Sequence, residues 1–117
     1  MTTYDLIRQA IIDGNQVIFW YHGLYRECCP HMIGQKRGRQ HVLMFQFAGQ
    51  SSRGLPPSGE WRCMDVDEIS QVVVQNGPWY TDPNYSPGTD RCLDVIDFNV
   101  IPCSVDEITG SAKYRAY

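Results

Sequence analysis

Apolar and polar positions alternate in short runs along most of this chain, after a single helical stretch at the N-terminus. Thr2 and Asp5 have the spacing of a capping box, and four apolar residues between positions 6 and 11 share one helical face. Gly14 then suits the left-handed conformation in which many helices end. The pattern predicts one short amphipathic helix at the N-terminus.

Five runs of β-branched and aromatic residues follow, separated by turns that contain Gly, Asn or charged residues. We predict strands at residues 16–21, 25–30, 41–47, 61–66 and 70–75. A helix followed by short strands, with turns about every 8–12 residues, favours a small barrel over a sandwich. The predicted fold class is therefore mainly β, a small five-stranded barrel with one N-terminal helix.

The pattern weakens in the last third of the chain. Residues 79–90 are rich in Pro, Asp, Asn and Gly, which predicts irregular chain. Residues 95–101 alternate enough for one more strand, either at the barrel edge or on a second subunit. We therefore predict a barrel with its helix at 1–76 and an irregular C-terminal extension at 77–117, packed on the barrel or on a neighbouring subunit. An uncovered apolar strand is an aggregation hazard, so we expect a homo-oligomer that covers it.

Composition indicates one globular domain, with 117 residues, 43% of them hydrophobic and 20% charged. No apolar run is long enough to cross a bilayer, and the N-terminus lacks the layout of a signal peptide. We expect a cytoplasmic protein without a membrane partner. Five cysteines, an odd number, are then expected to be reduced thiols.

The net charge of −3 is unevenly distributed. The first 62 residues hold seven Lys or Arg against four Asp or Glu, and the remaining residues hold three against nine. An acidic protein is a poor candidate for an extended nucleic-acid groove, which needs a basic face. A local anion pocket in the first part of the chain remains compatible with these charges.

Metal and catalytic sites are not favoured by the residue spacing. Cys28, Cys29 and His31 are metal-ligating types, but adjacent strand residues point to opposite faces and cannot easily share one ion. Asp65 and Asp67 are better explained as a solvated strand end than as an acid–base pair. We therefore predict no enzyme, no catalytic residues, no metal and no cofactor.

The loop at residues 50–54 combines serine hydroxyls, one guanidinium and a glycine that exposes backbone N–H groups. These are the donors that cradle phosphate, although an ordinary surface loop explains them equally well. The basic turn at residues 36–39 is better explained as a charged tip that keeps a hairpin soluble.

Two motifs resemble a known family. A short helix leads into a strand ending at Tyr21, and Arg26 lies a few residues before Pro30. Residues 62–69 run Arg-Cys-Met-Asp-Val-Asp-Glu-Ile. Taken in order, these segments resemble the WYL domain, a small Sm- or SH3-like barrel of bacterial regulators and defence-associated proteins. The family's Trp-Tyr-Leu tripeptide falls on residues 41–43, where only the leucine is kept.

The resemblance implies a binding module that senses or sequesters a phosphorylated ligand such as a nucleotide or cyclic oligonucleotide. The alternatives are an accessory protein that binds single-stranded nucleic acid and a ring-forming interaction protein. The family's pattern carries ligand contacts to Tyr21, Arg26 and Arg62. On chemical grounds we add five polar residues, His31, Gln46, Ser51, Ser52 and Arg53.

Arg62 needs an anion whichever function applies. In a strand it shares its face with Met64 and Val66, and an unpaired guanidinium among apolar residues is costly to bury. A carboxylate such as Glu60 or Asp67 and a bound phosphate are equally good candidates from the sequence.

Overall fold

The computed structural model describes residues 1–51, 54–56, 59–81, 92–105 and 112–116, with side chains described as far as residue 100. The helix α1 spans Thr3–Asp13. Seven strands follow: β1 Gln16–Tyr21, β2 Leu24–Lys36, β3 Arg39–Gly49, β4 Glu60–Asp65, β5 Ile69–Gln75, β6 Val95–Val105 and β7 Ala112–Ala116. A short 3-10 helix, Val66–Glu68, joins β4 to β5.

Local sequence accounts for α1 and for the hairpins beside it. The capping box is present in full, because Thr2 Oγ1 accepts from the Asp5 backbone and Asp5 accepts from the Thr2 backbone. Gly14 ends the helix in the left-handed conformation, as predicted. The β1–β2 and β2–β3 turns each place two consecutive residues at positive φ, ending on Gly23 and Gly38. That backbone suits tight hairpins, since it matches the twist of the paired strands.

The antiparallel sheet has the strand order β4-β3-β2-β1-β5. Among the described residues β4 and β5 do not pair with each other, so the predicted barrel is not closed. The coarse prediction, a mainly β fold with one N-terminal helix, is confirmed. No helix among the described residues is long and apolar enough to cross a membrane.

The strand β2 continues well past Pro30, where the sequence predicted its end. Its pairing with β3 shifts register between Pro30 and Met32, which marks a bulge. Proline has no N–H to donate to a neighbouring strand. A bulge interrupts the ladder of hydrogen bonds, so it is one of the few places where a strand tolerates proline. The strand therefore extends to Lys36, with β1 beside its first half and β6 beside its second half.

The C-terminal extension is more regular than predicted. The strand β6 pairs with residues 32–35 of β2 in the same chain, and its other partner is β7, which the sequence did not predict. The strand expected at residues 95–101 is thus confirmed, and it pairs with the sheet of its own chain. The prediction of an irregular extension is wrong for residues 95–105 and 112–116, which form β6 and β7. Because β6 pairs with β2 through residues 95–99 and with β7 through residues 100–105, an unpaired strand no longer supplies the reason for a homo-oligomer, which stays a prediction. Of the predicted irregular stretch, residues 82–90 lie outside the described residues.

Two hydrophobic clusters lie on opposite sides of the sheet. The larger one packs α1 against one face, with contributions from every strand from β1 to β6. The smaller one contains Met32, Leu43 and Leu93, with Trp61 packed against it. Neighbouring residues of β2 therefore enter different clusters, as Met32 and Ile33 do, and this explains why the middle of β2 is buried on both faces.

A disulfide joins Cys63 of β4 to Cys92, just before β6. The expectation that all five cysteines are reduced thiols is therefore wrong for this pair. The two Cα atoms are 5.6 Å apart, within the range that a disulfide spans. They meet because β6 docks on the sheet, a long-range contact that cysteine counting does not reveal. Cys28 and Cys29 are free and buried, and the side chain of Cys103 lies outside the described residues.

Candidate functional site

Three neighbouring strands bring Arg26, Gln46 and Arg62 together. Gln46 on β3 is paired with Cys28 of β2 and Glu60 of β4, so it lies between the two arginines. Its side-chain oxygen Oε1 is 3.3 Å from Arg62 Nε and 3.5 Å from Arg26 Nη1. Arg26 and Arg62, which we call the arginine pair, thus converge on one neutral oxygen atom.

The orientation of Gln46 is fixed by the chain that follows it. Its Nε2 donates to the backbone oxygens of Ala48 at 3.1 Å and Gln50 at 2.9 Å. Both carbonyls accept only, so the amide nitrogen must face them and the amide oxygen must face the arginines. The Gln46 side chain is fully buried, which makes this arrangement expensive to disturb.

Arg26 is a buried cation without a carboxylate partner among the described residues. Only 6% of the residue is exposed, and its Nε has no hydrogen-bond acceptor within the described part of the chain. Its guanidinium lies 5.3 Å from the centre of the Tyr21 ring, at cation–π distance. Burial, and then the charge of Arg62, lower the pKa of Arg26, but an arginine stays protonated. The site therefore holds a charge that an anion would stabilise.

Arg62 has a carboxylate partner, Glu60, that satisfies its guanidinium only in part. Its Nη2 lies 3.1 Å from Glu60 Oε2 but makes no aligned hydrogen bond to it, so the contact is an ion pair alone. Asp67 instead lies 3.8 Å from Arg39. As predicted, Met64 and Val66 enter the larger core cluster beneath Arg62. Its guanidinium thus retains donor capacity that Glu60 does not use.

Ser51 contributes a third unused donor close by. Its hydroxyl oxygen is buried without a hydrogen-bond partner in the described residues, directly after Gln50, whose carbonyl Gln46 holds. Ser51 is therefore a candidate donor in the chain segment that follows Gln46. Ser52 and Arg53, the other predicted loop contacts, lie outside the described residues.

Tyr21 supports the arginine pair from β1. Its hydroxyl accepts from the backbone of Asp65, the N-cap of the 3-10 helix, at 3.1 Å and donates to Glu68, the last residue of that helix, at 3.2 Å. These bonds hold the ring in place beside Arg26. Burial raises the pKa of Tyr21, so its hydroxyl remains a neutral donor.

His31 is on the opposite face of the sheet from the arginine pair. Its ring contacts Trp61 and Trp79, with centroids 4.7 Å away in each case. Its nitrogens lie 2.8 Å from the Cys29 oxygen and 2.9 Å from Thr81 Oγ1. Burial lowers the pKa of His31 to about 4, so the ring is neutral near pH 7. The structure thus places this predicted ligand contact outside the cluster formed by Tyr21, Arg26, Gln46 and Arg62.

The remaining charged motifs have structural partners. In the basic turn, Lys36 Nζ and the Arg37 backbone both contact the Asp94 carboxylate. Arg39 pairs with Asp65 at 2.6 Å, and Asp65 also caps the 3-10 helix by accepting from the Asp67 backbone. These contacts hold the hairpin tip and the 3-10 helix, and they fit the solvated interpretation of both motifs.

The free thiols have little nucleophilic or metal-binding character. Cys28 enters the larger core cluster, whereas Cys29 accepts from the Tyr80 backbone on the other side of the sheet. Burial raises the pKa of both thiols, that of Cys29 to about 11, and a neutral thiol is neither a nucleophile nor a metal ligand. Within the described residues no three His, Cys, Asp or Glu side chains are grouped to hold a metal ion.

The carbonyl of Gln50 is the site component that sequence reasoning missed. Glu60 was considered only as a carboxylate partner for Arg62.

Comparison with protein-family models, with curated proteins and with solved structures finds no match to this chain. The WYL resemblance therefore stays a prediction, and the functional argument depends on the arginine pair and its surroundings.

Proposed function

We propose that this protein is a binding module for a phosphorylated ligand, a nucleotide or cyclic oligonucleotide, and acts as its sensor or sequestering protein. The observation that carries the proposal is the convergence of two guanidiniums, one of them buried, on a single neutral oxygen. Arginine is the side chain best suited to phosphate, because its planar fork donates two parallel hydrogen bonds. Ser51, which follows the Gln50 carbonyl that Gln46 contacts, is a further candidate donor.

We also propose that the fold is an open barrel of the SH3- or Sm-like kind and that the chain is a WYL domain. The meander β1 to β4, with β5 returning beside β1, supports the first statement. For the second, the support is that the residues carried over from the family pattern, Tyr21, Arg26 and Arg62, lie together. The 62–69 motif covers the last four residues of β4, the 3-10 helix and the first residue of β5.

Binding without catalysis is the interpretation that the buried thiols and His31 support. Cys28 and Cys29 are protonated, and both nitrogens of His31 are at hydrogen-bond distance from other groups. A cytoplasmic location stays a prediction, and the Cys63–Cys92 disulfide counts against a reducing compartment.

Replacing Arg62 with alanine is expected to weaken the binding of adenosine monophosphate by about 2–3 kcal/mol, because a charge-assisted bond to phosphate is lost. The matched control is Arg39→Ala, which removes the same charge from an arginine 56% exposed and paired with Asp65. Isothermal titration calorimetry on the full chain should show near-normal affinity for the control.

Equal losses in the two variants would mean that overall charge, rather than the arginine pair, attracts the nucleotide. An affinity that grows with the length of a single-stranded oligonucleotide, while the mononucleotide fails to bind, would favour the nucleic-acid alternative. If neither ligand binds and sedimentation shows an assembly the size of a ring, the ring-forming interaction protein is the favoured alternative.

A further inference from the structure

The charges around the arginine pair are unequal. Two guanidiniums meet there, and of the carboxylates on described side chains, Glu60 is the one in ion-pair contact with either. The neighbouring carboxylates have other partners: Asp65 and Asp67 contact Arg39, and Glu68 contacts His22. Gln46 is neutral. The pair thus carries one positive charge more than its contacts compensate.

Glu60 occupies the donor that an incoming anion would need. Its carboxylate is 3.1 Å from Arg62 Nη2, the atom left without an aligned hydrogen bond. Its side chain is 46% exposed and begins β4 directly after Gly59, which has a positive φ. A half-exposed ion pair of this kind contributes little to stability, so the carboxylate can leave for water at low cost.

Once Glu60 is displaced, the arginine pair binds the ligand with the greater negative charge more tightly. A monoanion, such as a phosphodiester, merely replaces one negative charge by another beside Arg62 and leaves Arg26 uncompensated. A phosphate monoester carries close to two negative charges above its second pKa of about 6. It can compensate both guanidiniums once the Glu60 carboxylate has moved away.

We propose, on the basis of the proposed function, that the arginine pair selects a phosphate monoester dianion over a phosphodiester and that Glu60 competes with either ligand for Arg62. The ligand class is thereby narrowed to a molecule with a terminal phosphoryl group, such as a nucleoside monophosphate, in preference to a cyclic oligonucleotide or an internal nucleic-acid phosphate. The excess positive charge of the arginine pair sets this preference, and Glu60 lowers the affinity of any ligand that must displace it from Arg62.

The test compares methyl phosphate with dimethyl phosphate by phosphorus NMR titration of the full chain at about pH 8, well above the second pKa of the monoester. We expect methyl phosphate to bind at least about tenfold more tightly. The variant Glu60→Gln should raise the affinity for both probes by up to about fivefold, because neither then displaces a carboxylate, and should keep the preference for methyl phosphate. The control Glu68→Gln alters another ion-paired carboxylate of nearly equal exposure, 47%, and should leave both affinities unchanged.

Three results would overturn the proposal, and they separate it from the proposed function. Equal affinities in the unaltered protein would remove the selectivity while leaving phosphate binding intact. Affinities for both probes that Glu60→Gln and Glu60→Ala leave unchanged would remove the role of Glu60. If neither probe bound the unaltered protein or any variant, the proposed function would be overturned as well.

Discussion

Replacing Gly34 with alanine is expected to destabilise the fold by about 3 kcal/mol or more. The strand β6 pairs with β2 at this residue and leaves no room for a side chain. A Cβ atom at Gly34 would overlap the Val95 carbonyl oxygen and lie 3.1 Å from the Asp97 backbone nitrogen. Those contacts are with backbone, so relief requires β6 to move away from β2. Denaturant unfolding would measure the loss.

The control for this variant is Gly77→Ala. A Cβ atom there meets the amide end of the Gln16 side chain at 2.6 Å, and a side chain can shift more easily than a strand. We expect a loss of only about 1 kcal/mol, the size of a disturbed hydrogen bond. Hydrogen exchange should show faster exchange at Phe98 and Asn99, which pair with β2, in the Gly34 variant. Unchanged stability and unchanged protection of β6 would contradict the packing described for this strand.

Removing the Cys63–Cys92 disulfide is expected to lower the free energy of unfolding by roughly 3–4 kcal/mol, because the bond closes a loop with a sequence separation of 29 residues. The double variant Cys63→Ser, Cys92→Ser, and the unaltered protein under reductant, should both show this loss. Reductant should have no effect on the double variant, which serves as the control. Free thiols at both positions in protein purified without reductant would contradict the assignment.

Much of the local structure was predictable because it depends on neighbouring residues. The capping box at Thr2 and Asp5, the helix end at Gly14 and the hairpin turns are each specified within a few positions. The end of β2 was not predictable, since a proline usually stops a strand and its toleration at Pro30 depends on a bulge in the pairing with β3.

The candidate site was predictable in its residue types more than in its grouping. Arg26, Gln46 and Arg62 meet because the β2–β3 and β3–β4 registers align them, and strand alternation alone does not supply those registers. The same registers place His31 on the other face, among Trp61 and Trp79. The disulfide and β7 depend on where the last third of the chain docks, which needs contacts across many residues of sequence.

The most direct test of the arginine pair as an anion site is to follow arginine Nε–H resonances by NMR while methyl phosphate is added. Arg26 Nε has no acceptor among the described residues, whereas Arg8 Nε, which already donates to Asp97 at 3.0 Å, serves as an internal control. The predicted result is a saturable shift of the Arg26 and Arg62 resonances that leaves Arg8 unchanged. Shifts of Arg26 no larger than those of Arg8, at any phosphate concentration, would contradict the anion site.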